Sequence, residues 1–180
     1  EALASFYDEM GFVQLRAALS NQLPKEPEEE IVYHEVVDDI SPDMFTDDTF
    51  IYFELLNDNY HREDITTFAW GNTENIYVSQ NPEVLKTDVF QAFLRKPMAT
   101  YDFKRAKILL SHLNIDVPRG AFDARLANYL LSNVDDNQLS TIARVHTNIH
   151  LESDDVVYGK GVKRAFPDKG LLFAHLAKKI

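Results

Sequence analysis

The sequence predicts one α/β domain built on a mixed β-sheet flanked by helices, preceded by a helical linker segment. Three observations carry this reading. Residues 50–56, FIYFELL, are apolar or aromatic apart from Glu54, the density of a central strand covered on both faces. Two further strand-like runs follow it at short intervals, 65–70 and 76–79, with the turn sequence GNTEN between them. Beyond them helical patterns dominate, with one more short strand candidate at 98–101, so a three-stranded antiparallel meander gives way to a helix, a strand and a series of helices.

Taken in order, residues 2–19 place Leu3, Phe6, Tyr7, Met10, Phe12, Leu15 and Leu19 at roughly helical spacing, interrupted by Gly11. The stretch that follows contains PKEPEEE, which has little to bury and reads as a linker. Residues 1–30 are therefore a lead-in, and 31–180 the compact domain. Residues 31–37 suit a short edge strand. Ser41-Pro42 has the form of a helix start, with Ser as cap and Pro at the first position, for a helix ending near Asp48.

In the strand at 50–56, side chains two apart share a face, so Ile51, Phe53 and Leu55 point one way and Tyr52, Glu54 and Leu56 the other. Asn81-Pro82 opens a helix carrying Val84, Leu85, Val89, Phe93 and Leu94, closed by Lys96-Pro97. Because a helix crosses over to reach it, the strand at 98–101 should lie parallel to the central one. Asp102 then caps a helix to about Leu113, with Ile108, Leu109 and Leu110 inward. A helix at 121–131 gathers Phe122, Leu126, Tyr129 and Leu130 on one side, and helices at 137–146 and 169–180 enclose a glycine-punctuated loop at 156–164.

The bulk numbers exclude several classes. With 180 residues, 45% hydrophobic and 26% charged, the chain is an ordinary soluble domain with no apolar run long enough for a membrane span, and a cytoplasmic location is expected. The absence of cysteine removes disulfides, thiolate zinc sites and cysteine nucleophiles together. A net charge of −11 makes it a poor autonomous binder of nucleic acid, whose affinity comes from Lys and Arg releasing counterions. Basic clusters at Lys104, Arg105 and Lys107, at Lys160, Lys163 and Arg164, and at Lys178 and Lys179 read first as solvated faces. The first residue is Glu and the last falls within a helical pattern, so the sequence is expected to be part of a longer protein.

Other constellations carry little chemistry. His146 and His150 lack a third ligand at zinc spacing, and Ser140 and Ser153 sit in no nucleophile-elbow context. Gly159-Lys160-Gly161 is not followed by a Walker helix and reads as a surface turn. Asp135-Asp136 and Asp154-Asp155 read as solvated loop residues, with no calcium-loop pattern around them.

Three stretches, YDFKRAKILLSHLNIDVPRGAFDARLANYLLS, VVYGKGVKRAFPD and FIYFELLNDNYH, resemble the 3′→5′ exonuclease (proofreading) domain of bacterial family A DNA polymerases, the DNA polymerase I type, over residues 31–180. The resemblance implies a ribonuclease H-like fold whose active members gather acidic residues and a tyrosine around two divalent ions that activate water and stabilise the leaving oxygen. Aligned on apolar residues, the strand motif Phe-Asp-x-Glu falls on Tyr52-Phe53-Glu54-Leu55, so its ligand positions are Phe53 and Leu55. Counting back from Ala121-Phe122-Asp123 puts the second motif's aspartate on Ala106, with Asp102 and Asp123 left as helix caps. The third motif, Tyr-x-x-x-Asp, falls on Leu176 and Ile180.

These substitutions imply a degenerate, non-catalytic domain with no metal cofactor and an apolar, packed pocket, acting as a structural module in DNA replication and repair. Its partners would be the polymerase and 5′ nuclease domains of the same chain, residues 1–30 leading in from the latter. DNA would be reached through the parent polymerase, with incidental contact at Lys160, Lys163 and Arg164. Two alternatives stand beside this reading. One is an active, divergent Mg²⁺- or Mn²⁺-dependent exonuclease using Glu54, Asp58, Asp102 and Asp123; the other is a stand-alone interaction module.

Overall fold

The computed structural model describes residues 31–131, 136–147 and 149–180. The helical lead-in and acidic linker expected at 1–30, and Asp135, lie outside the described residues. A six-stranded mixed sheet runs through the domain in the order β1-β4-β3-β2-β5-β6. Its strands are β1 (His34–Glu35), β2 (Phe50–Glu54), β3 (Thr67–Gly71), β4 (Ile76–Ser79), β5 (Met98–Thr100) and β6 (Gly120–Asp123). The expected meander is present, β2 pairing antiparallel with β3 and β3 with β4, while β5 joins β2 in parallel. β1 lies at the sheet edge, parallel to β4.

Strand alternation sorts β2 as its sequence dictates. Ile51, Phe53 and Leu55 enter one core with Phe68, Trp70, Phe90, Leu109 and Leu110, whereas Tyr52 enters a second core with Ala69, Val78, Leu172, Phe173 and Leu176. Helices α1 (Asp88–Leu94) and α2 (Phe103–His112) cover the first face. The second is covered by α6 (Lys169–Ala177), which follows α3 (Ala124–Leu131), α4 (Leu139–His146) and the short α5 (Asp154–Val157). Among the described residues no helix is long and apolar enough to cross a membrane.

Four local expectations are corrected. The helix starting at Pro42 ends as a single 3₁₀ turn at Met44, where Thr46, Asp48 and Thr49 bond one another instead of continuing it. The helix opened by Asn81 is split, because Thr87 adopts an extended backbone, accepts a bond from the Phe90 amide and donates to the Val84 carbonyl. Residues 120–123 form β6 against β5, and the helix there starts only at Ala124. The reason is Asp123, whose Oδ1 accepts from the Leu126 amide at 3.0 Å and thereby caps α3. In the loop at 156–164, the first residues belong to α5 and residues 161–163 to a 3₁₀ turn, with Gly159 and Gly161 at positive φ.

Gly71 shows why the hairpin between β3 and β4 needs glycine. Its φ is +147°, and a Cβ there would come within 2.1 Å of the Asn75 carbonyl oxygen. Asn72 then closes the turn by accepting from the Glu74 and Asn75 amides.

Candidate active-site cleft

The carboxyl end of β2 opens into a cleft of about 210 Å³, the position where open α/β sheets place their sites. Elements far apart in sequence converge on it: Tyr52 and Leu55 from β2 and its end, Arg105 from the first turn of α2, Asp154 from α5, and Lys179 just past the end of α6. The cleft is therefore polar and open, not the packed apolar pocket that the sequence implied.

Behind the lining residue Lys179 lies Glu54, fully buried, with one carboxylate oxygen accepting from the Leu55 amide and the other from Lys179 Nζ at 2.5 Å. The same ammonium donates to Asp154 Oδ1 at 2.6 Å, and His175 Nε2 reaches that oxygen at 2.8 Å. Lys179 also stands 4.8 Å from the Tyr52 ring centroid and 5.6 Å from that of Tyr158. One ammonium, itself 5% exposed, thus lies between two carboxylates and two aromatic rings. His175 and Lys179 share a helical face because they are four apart.

The electrostatics follow from burial and partners. Burial works against ionisation of Asp154, but the His175 hydrogen bond and the Lys179 charge outweigh it and hold the carboxyl well below its usual range. For Lys179, burial works against the charge while Tyr52, Glu54 and Asp154 overcome it and hold the ammonium above its ordinary value. Burial pushes the Tyr52 phenol up, so it stays neutral across the physiological range. Burial together with the Glu54 charge pushes the Tyr158 phenol up as well.

Two arginines frame the rest. Arg105 donates from Nη1 to the Tyr52 hydroxyl at 3.2 Å and stands 3.7 Å from Asp58, an ion pair too long for a hydrogen bond. Arg164 donates to the Leu56 carbonyl, to Asp155 at 2.8 Å and to the Gly159 carbonyl at 3.2 Å, tying the 158–164 loop to the end of β2.

The residues expected from the resemblance separate into those at the cleft and those away from it. Phe53 lies on the far face of β2 in the first core, and Ala106 is buried beside it, while Leu55 belongs to that core and also touches the cleft rim. Leu176 is buried in the second core and Ile180 packs at its margin. The strand positions that point at Lys179 are Tyr52 and Glu54, and the helix positions are His175 and Lys179, each one residue before those assigned from the motifs. Asp154, read as a solvated loop residue, is the other half of the Lys179 pair, its partners His175 and Lys179 being carried in by α6 and the residues just past its end.

Asp102 and Asp123 are spent on capping, as expected. Asp102 accepts from the Arg105 amide at 2.9 Å and from Arg125 at 2.7 Å, and Asp123 accepts from the Phe103 amide at 2.9 Å besides capping α3. Asp58 is exposed at the rim. Of the four acids in the active-exonuclease alternative, Asp58 lines the cleft, Glu54 is buried behind the lining residue Lys179, and Asp102 and Asp123 cap helices. In the basic loop, Lys160 pairs with Asp155 at 3.3 Å, Arg164 is committed to the backbone ties above, and Lys163 is exposed. His146 bonds Asn128 at 3.0 Å.

A pair of divalent ions needs several carboxylates with free lone pairs. Here Glu54 and Asp154 both hold Lys179, and the flanking strand position offers a neutral phenol, so the donor set does not fit two metals. Among the described residues no group of three or more His, Cys, Asp or Glu is placed to hold a metal ion.

A mixed sheet flanked by helices, with its cleft at the carboxyl end of the central strand, defines a ribonuclease H-like domain. Residues 51–180 match the family model described as the ribonuclease H-like domain of DNA polymerase I, and the chain belongs to that family. It is 46% identical to a DNA polymerase I of Lactococcus lactis subsp. lactis, covering all of this chain and 20% of that protein. A DNA polymerase I of Streptococcus pneumoniae is 41% identical over all of this chain and 20% of its own length, and that of Bacillus subtilis 27% identical over 99% and 21%. The chain thus spans about a fifth of the length of the curated relatives it matches.

Proposed function

We propose that this chain is a non-cleaving exonuclease domain, serving as a structural module of a bacterial DNA polymerase I in DNA replication and repair. One observation carries the reading: the Lys179 ammonium lies within 2.6 Å of both Glu54 and Asp154, where active relatives of the fold need metal-binding oxygens left open. Charge balance inside the cleft is met by the polypeptide itself. Its partners are the polymerase and 5′ nuclease portions of the same chain, residues 1–30 forming the connection from the latter. DNA is met through the polymerase, with incidental contact at Lys160 and Lys163.

The test is incubation of the purified chain with 5′-labelled single-stranded DNA and Mg²⁺ or Mn²⁺. No metal-dependent ladder of shortened products is expected. Shortening that requires the metal and vanishes in Glu54→Gln would overturn the reading.

A further inference from the structure

We draw no further inference here: the strongest candidate, the edge of Arg105 in the cleft that the first turn of α4 also lines, belongs to the site already described, and its Nε, which makes no hydrogen bond, already faces the Asp58 carboxylate at 3.7 Å.

Discussion

Lys179→Met removes the internal ammonium while keeping most of the side chain's volume. Glu54 is 0% exposed and the Lys179 side chain 2% exposed, so the variant leaves a buried carboxylate with no countercharge and a second, Asp154, that keeps only His175. Breaking a buried ion pair on one side costs about 3–5 kcal/mol. With a urea slope of about 2 kcal/mol/M, the midpoint of unfolding followed by circular dichroism should fall by about 1.5–2.5 M. The double variant Lys179→Met/Glu54→Leu removes both charges of that pair, and replacing a buried pair by apolar groups is often neutral or stabilising, so it should recover most of the loss. The reasoning fails if Lys179→Met unfolds within about 0.5 kcal/mol of the parent, the scale of a surface substitution. It fails equally if the double variant is no more stable than the single one, because the loss would then belong to packing and not to the stranded charge.

Three further outcomes follow from the same geometry. Asp154 is held below its unfolded value, so its contribution is complete above about pH 4 and lost as pH falls; Lys179 is held above its own, so its contribution is complete below about pH 10.4 and lost as pH rises. Urea midpoints across that pH range should show little slope from this pair, and Asp154→Asn should flatten the acid limb. Asp123→Ala, which removes the cap of α3 and the acceptor for the first amide of α2 while leaving the Asp102 cap in place, should cost about 1–2 kcal/mol in thermal or chemical unfolding, with Asp123→Asn losing less. Lys179→Asp gathers three acids at the cleft floor: the apo protein should be less stable than the parent, and Mn²⁺ at about 100 times its dissociation constant should raise its stability by about 2.7 kcal/mol while leaving the parent unchanged, as read by melting temperature.

Period-2 alternation made β2 legible in the sequence. It assigned Ile51, Phe53 and Leu55 to one core and Tyr52 to the other, as the structure places them. The caps at Asp102 and Asp123 were legible too, since short acidic side chains before helices leave few alternatives. The cleft was not. Asp154 and Lys179 come together only when α5 and α6 fold against β2, and no local pattern records a contact across 125 positions such as that between Lys179 and Glu54. The positions assigned to the degenerate motifs, Phe53, Leu55, Ala106, Leu176 and Ile180, pack in or against the two cores, and the polar contacts around Lys179 come from the neighbouring positions Tyr52, Glu54 and His175. Periodicity also grouped Leu126, Tyr129 and Leu130 on one side of α3, but it extended that side to Phe122, which pairing with β5 draws into β6.

Lys179 has a consequence for how the domain behaves as solution conditions change. A metal ion is held by mass action, and chelation or starvation removes it. A counter-charge joined to the backbone has no concentration and no dissociation equilibrium, so on the proposed reading depletion of magnesium or an added chelator should leave the charge of Glu54 and Asp154 balanced.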